Sequence, residues 1–354
     1  MASNILRQLH QIPTDIEDLD FDWTDGSVKG NEVEFSLFQT FTQLTSLNFS
    51  HRIDQICLIK ILERVPHLKR LYLEWAYFAP SIFEYIPTGL THLSLCLRSY
   101  FVEPDIAFKL SHLPLTFLKL QSNLDQENDE FVFSFIRSHT GLQTLELDFI
   151  FNTHYLEMLL DEMTQLTRLT VTVIPSEEHS FPFKKCSQLQ SLALEGNENL
   201  VAESWACMKH LTTLHFTGCF GTQFEMPQLE HLGDLKLVLY SRDFGKLHLN
   251  CPALTRLSLQ ETQTEPPTHL DFQPLINSLP RLTQLSTLVL QIDSWKAADL
   301  EGISQNLPAT ICDVQMFRCS NFTGLFPGIE RCTQLTRLSI VHGYDPLDIR
   351  PLLP

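Results

Sequence analysis

The sequence predicts an α/β solenoid, a horseshoe of about fourteen repeats. A parallel sheet lines its concave side, and mixed helices and irregular crossings cover its convex side. Three observations predict it. The pattern L-x-x-L-x-L recurs along the chain, most cleanly as Leu68-Lys-Arg-Leu71-Tyr-Leu73, Leu90-Thr-His-Leu93-Ser-Leu95, Leu142-Gln-Thr-Leu145-Glu-Leu147 and Leu254-Thr-Arg-Leu257-Ser-Leu259. Successive starts, from Ile16 to Leu335, lie 28, 24, 22, 25, 27, 24, 23, 22, 21, 22, 31, 26 and 24 residues apart. Several stretches between the motifs carry helical periodicity. A unit of this size cannot bury its own apolar residues, so each must stack on its neighbours.

Each motif reads as a short strand. Further copies start at Leu44, Leu115, Leu166, Leu189, Leu211, Leu232, Leu285 and Ile311. The crossing Asp54–Val65 places Ile56, Ile59 or Lys60, Leu62 and Val65 on one helical stripe. Asn128–Ser138 opens with cap-type residues and turns apolar, and Thr153–Met163 puts Leu156, Leu159 and Leu160 on one face. Phe181–Ser187 and Gly218–Gln228 read as extended or 3₁₀, and Ser294–Gln305 as a short helix again. Three segments break the rhythm: Gln121–Glu130, Ser176–Ser187 and Gln260–Leu279. Residues 1–15 are expected to cap the first repeat through Ile5, Leu6, Leu9 and Ile12. The repeats occupy 16–343 as one elongated domain, and 344–354 close the last one. Pro346, Pro351 and Pro354 there argue against further regular structure.

The chain has 354 residues, 44% of them hydrophobic, and a formal charge of −17 from 25 Lys+Arg against 42 Asp+Glu. That balance argues against nucleic acid and anionic membrane as partners, because both need a basic footprint. No apolar run approaches the ~20 residues of a membrane span, and the N-terminus lacks the apolar core of a signal peptide. The nine cysteines are odd in number, with no C-x-x-C pair. They read as thiols in a reducing compartment, and the protein as cytoplasmic.

On these motifs the chain resembles the leucine-rich-repeat superfamily over about nine-tenths of its length. The crossings and periods are similar to the ribonuclease-inhibitor and F-box-associated types, and the irregular lengths to effectors of intracellular bacteria. The family's asparagine ladder at position 9 survives as Asn123, Asn197, Cys219 and Cys319, and gives way elsewhere to residues such as Arg52, Ile150, Tyr240 and Asp293. No F-box module fits in residues 1–15, and no cysteine starts the Cys-x-Asp motif of bacterial ubiquitin ligases.

Catalytic signals are weak. There is no phosphate-binding glycine loop, H-E-x-x-H or G-x-S-x-G motif. Glu177-Glu178-His179 is the nearest approach to a metal cluster and reads as solvated charge. The expectation is a protein without enzymatic activity, cofactor or metal.

Strand side chains alternate. With motif positions 4 and 6 inward, positions 3, 5 and 7 face out. In the first six repeats these positions supply Asp18, Asp20, Asp22, Glu74, Glu146 and Asp148 against Arg70 and Lys119. Later repeats supply Glu195, Asp234 and Asp313 against Arg168, Lys236, Arg256 and Arg337. Tyr72 and Phe117 point outward, while Trp23, Trp75 and Phe149 stand at position 8, at the sheet edge. An acidic, aromatic face of this kind implies a protein partner with a basic face, gripped by a chain that is monomeric when unbound. The roles this suggests are an effector or an inhibitor of another protein. The alternative is an adaptor or substrate receptor in a ubiquitin-ligase assembly, bound through the convex helices.

Overall fold

A computed structural model gives the fold. It describes residues 12–21, 36–50, 53–73, 80–97, 110–122, 129–173, 185, 187–196, 207–218, 226–262, 271–292, 296–317, 325–342 and 345–348. The chain divides into two compact units, 1–172 and 173–354.

In the N-terminal unit every motif forms a strand: β1 (Asp18–Phe21), β2 (Ser46–Phe49), β3 (Arg70–Leu73), β4 (His92–Leu97), β5 (Phe117–Ser122), β6 (Thr144–Phe151) and β7 (Arg168–Val173). The first six pair in chain order, parallel and in register, so that Leu47, Leu71, Leu93, Leu118 and Leu145 form one row. The C-terminal unit repeats the scheme. It contains β8 (Ser191–Gly196), β9 (Thr213–Gly218), β10 (Asp234–Tyr240), β11 (Arg256–Thr262), β12 (Thr287–Gln291), β13 (Asp313–Phe317) and β14 (Arg337–His342). These also pair in parallel, each with the next.

One backbone device fixes this register. The carbonyl at motif position 2 accepts two N–H groups from the next repeat, at its positions 2 and 3. Glu17 serves Thr45 and Ser46, Lys69 serves Thr91 and His92, and Gly233 serves Thr255 and Arg256, at 2.8–3.0 Å. A hydroxyl adds a third donor. Position 2 is Thr or Ser in eight repeats, and each of those hydroxyls donates to the preceding position-2 carbonyl. The donors are Thr45, Thr91, Thr116, Thr167, Thr212, Thr255, Ser286 and Thr336, at 2.9–3.4 Å. Each such bond contributes on the order of 1 kcal/mol.

The apolar side of each sheet is closed by leucines at positions 1, 4 and 6, nearly all fully buried. The exceptions are Ile16 and Leu335, in the first and last repeats, which are half-buried. A fourth apolar position precedes the motif by three residues. Phe41, Val65, Met163, Met208, Leu229, Cys251, Leu282 and Cys332 occupy it, and the carbonyl there accepts from the position-1 amide in a tight turn. In the sixth repeat that place is held by His139. Its ring is 3% exposed and set edge-on to Phe135. Neither ring nitrogen has a well-aligned partner among the described residues. Burial holds its pKa below 6.5, the Leu113 carbonyl only partly offsetting this and His112 adding to it.

Helices form where expected in the N-terminal unit: Gln55–Leu62, Asp129–Arg137 and Thr153–Glu162. The first shows a rotated face. Its buried residues are Cys57, Leu58, Ile61 and Leu62, whereas Ile56, expected inside, is 64% exposed. Asp54 starts the helix by capping the Ile56 and Cys57 amides. The other two helices are joined by a two-pronged Arg137–Glu162 pair at 2.7 and 2.9 Å and by Phe133 stacked on Tyr155. In the C-terminal unit Ala297–Gln305 is helical, and Phe326–Ile329 packs so closely on its end that a Cβ on Gly328 would meet the Ser304 backbone. Gly196 and Gly218, at position 8, allow the same closeness: a Cβ on either would strike the carbonyl of the preceding repeat, Val173 or Gly196.

The expected N-terminal cap and the crossings Phe181–Ser187 and Gly218–Gln228 are largely out of view. Residues 1–11, 181–184 and 219–225 lie outside the described residues. The closing segment is regular after all: Asp345–Asp348 forms β15, antiparallel to β14, with Pro346 opposite Val341. An edge strand tolerates proline because its missing N–H leaves no ladder bond unmade on the open side.

His139→Met is expected to raise stability by about 1 kcal/mol near neutral pH, since a buried unsatisfied polar ring gives way to an apolar chain. The wild-type histidine stays neutral when folded, while the unfolded chain takes up the proton first. Stability therefore falls as pH drops below 6.5, and this loss should be smaller in the variant. Urea unfolding at several pH values reads both; equal stability and equal acid sensitivity would contradict it.

Candidate functional site

The register that buries the leucines displays positions 3, 5 and 7. Three rows of side chains therefore cross the exposed sheet face of the N-terminal unit. The first runs Asp18, Ser46, Arg70, His92, Phe117, Thr144; the second Asp20, Asn48, Tyr72, Ser94, Lys119, Glu146. In the third, Cys96, Gln121 and Asp148 stand side by side.

Tyr72, His92 and Phe117 meet at the middle of this face. The His92 ring stacks on Phe117 at 5.6 Å and 16°, and Tyr72 sits edge-on to Phe117 at 6.3 Å. All three are half-buried, more enclosed than the outward position alone predicts for Tyr72 and Phe117. The His92 Nδ1 lies 2.9 Å from the Thr91 hydroxyl, which also reaches the Lys69 carbonyl. Which of the two donates across that contact is set by the ring tautomer. Burial, then the nearby Arg70 charge, holds His92 below 6.5. Burial also raises the Tyr72 phenol, Arg70 working against it and Asp18 and Glu146 with it.

Asp18, Asp20, Glu146 and Asp148 face Arg70, Lys119 and Arg168 among the described residues. Arg70 is already committed, with its guanidinium 2.8 Å from Asp18. Among the described residues Asp20 and Asp148 have only neutral partners, the Ser50 hydroxyl at 3.4 Å and the Gln121 amide at 3.2 Å. Lys119 and Glu146 are in register but make no ion pair among the described residues. Asp22, Trp23, Glu74 and Trp75 lie outside the described residues. Phe149 is half-buried, edge-on to the fully buried Phe151 at 6.1 Å, so its ring belongs to the sheet edge.

In the C-terminal unit, the first row reads Thr213, Asp234, Arg256, Thr287, Asp313, Arg337, alternating in sign. Asp313 accepts from Gln315 at 2.7 Å, with Arg337 at 3.9 Å. Glu195 and Lys236 are exposed. His215 is held below 6.5 by burial, Asp234 opposing and Lys236 and Arg256 assisting.

Nothing in this arrangement assembles a nucleophile and base. Among the described residues no three His, Cys, Asp or Glu side chains are placed to hold a metal, and Glu177–His179 lies outside them. Cys57, Cys96, Cys207, Cys251, Cys312 and Cys332 are free thiols. Burial pushes the Cys251 thiol up to about 11, which makes it a poor nucleophile. Also among the described residues, no helix is long and apolar enough to cross a membrane.

The sequence reading missed His92, the pivot of the aromatic cluster. Its signal was present: it occupies position 3, one strand from both Tyr72 and Phe117.

No protein-family model matches the chain, and no curated protein matches it. Solved structures with a similar fold include the TLR13–ssRNA13 complex, 15% identical over 85% of this chain and 47% of that one, with a TM-score of 0.49. An internalin, InlF from Listeria monocytogenes str. 4b F2365, is 14% identical over 94% of this chain and 88% of its own, TM-score 0.40. CroV588, described as a circular leucine-rich-repeat protein, is 16% identical over 94% of this chain and 44% of its own, TM-score 0.38. The chain thus spans less than half of the TLR13 and CroV588 chains. The repeat geometry itself makes this an α/β leucine-rich-repeat solenoid of about fourteen repeats.

Phe117→Ala strips apolar cover from His92, so the His92 pKa should rise toward 6.5. An NMR titration of the ring resonances reads this; an unchanged value would mean that the stack does not set the environment of His92.

Proposed function

We propose that the chain is a non-catalytic binding module that holds a protein partner on the exposed sheet face of its N-terminal unit. The observation that carries the reading is the half-buried cluster Tyr72–His92–Phe117, bordered by Asp20 on one side and by Glu146 and Asp148 on the other. Enclosed aromatics ringed by polar groups are what dominates binding energy at protein interfaces. The net charge of −17 and the two acids without a cation favour a partner with a basic face. Acting as an effector or as an inhibitor of that partner, in a cytosol, is part of the same proposal.

The adaptor reading draws on one observation. Ile56 is 64% exposed on the helix Gln55–Leu62, on the opposite side from the acids and aromatics. An assembly held there would leave the sheet face free for a substrate.

Capture from nuclease-treated cell lysate tests both. Wild-type protein is compared with Asp20→Lys/Glu146→Lys/Asp148→Lys and with Ile56→Asp. The sheet-face reading expects about a tenfold loss of the bound protein with the triple variant and none with Ile56→Asp. The opposite pattern would move the site to the helix, and recovery abolished by nuclease would point to nucleic acid instead.

A further inference from the structure

We propose that the partner presents one extended basic segment running across the strands of the N-terminal unit. Two of its cationic side chains, about eight residues apart, rest on Asp20 and on Glu146–Asp148, and an apolar side chain between them, on the same face of the segment, rests on Tyr72, His92 and Phe117. The inference builds on the sheet-face reading above and adds the shape and chemistry of what binds there.

The spacing comes from the register. Asp20 lies on β1 and Asp148 on β6, five strand intervals apart. At ~4.8 Å per interval the two acids are about 24 Å apart, and an extended chain rising ~3.4 Å per residue covers that in about seven to eight residues; because its side chains alternate, only the even spacing of eight turns both cations to the same face. Between the ends the described residues of this face carry no acid. Arg70 is neutralised by Asp18, and Lys119 stands in register with Glu146. A cation at the centre would meet Arg70 and Lys119, whereas an apolar side chain would cover Phe117 and Tyr72 without electrostatic cost.

The test uses the full chain and synthetic peptides, read by fluorescence anisotropy. The probe is an acetylated eleven-residue Ser/Thr peptide with Arg at its second and tenth residues and Leu at its sixth, all on one face of the extended chain. Comparators move the two Arg to four residues apart, replace both by Glu, or replace Leu by Ser. The spaced Arg peptide should bind at least tenfold tighter than the compressed and the Glu peptides. Asp20→Asn and Asp148→Asn should each weaken it about fivefold. Phe117→Ala should erase the difference between the Leu and Ser peptides, and Phe117→Leu, the milder packing change, should preserve it. Equal binding of spaced and compressed peptides would overturn the inference in favour of unspecific charge attraction. If no peptide binds while capture of a protein partner still depends on Asp20, Glu146 and Asp148, the inference fails and the sheet-face reading stands. If neither depends on these residues, both fail.

Discussion

Within each unit, one carbonyl per repeat gathers the start of the next strand, ahead of the ladder bonds between the paired strands. At motif position 2 that oxygen accepts two backbone N–H groups and, in eight repeats, a hydroxyl as well. The arrangement permits only one register. A slip by one residue would turn every leucine at positions 4 and 6 outward and every polar residue inward. Burial of the leucines, at a cost of ~2–5 kcal/mol for each one cut to alanine, supplies the energy that makes such a slip forbidding. Hydrogen bonding sets the register and burial enforces it.

The same register composes the exposed face. Tyr72, His92 and Phe117 are 20 and 25 residues apart in sequence and meet because three strands stack in step. Asp18 comes to Arg70 from 52 residues away by the same rule. The face is a by-product of core packing, yet it has its own chemistry: an enclosed aromatic centre, a neutralised arginine, and acids without cations toward both sides. A rigid, preformed surface of this kind loses little entropy on binding.

The sequence made the repeats legible because leucine spacing is the direct image of the packing. Strand positions, the inward and outward alternation, and three N-terminal helices could be read from it. Ile56 could not. Its place in the apolar stripe looked sound, but the pairs Cys57–Leu58 and Ile61–Leu62 form the buried face and leave it in solvent. The hydroxyl ladder was visible only as scattered threonines, since their role depends on the neighbouring repeat's backbone. His139 at an apolar position gave no signal, because a buried imidazole and an exposed one are written with the same letter. The acidic character of the inner face is only partly in view: Asp22 and Glu74 lie outside the described residues, and Asp18 is spent on Arg70.

Amide hydrogen exchange along the chain tests the position-2 lock most directly. If one carbonyl ties each repeat to the next, the amides at positions 2 and 3, such as Thr212 with Thr213 and Thr255 with Arg256, exchange together and as slowly as the buried leucine amides at position 4. Position-2 amides that exchange at the rate of exposed loops, beside protected leucines, would show that leucine packing alone holds the register and would contradict this account.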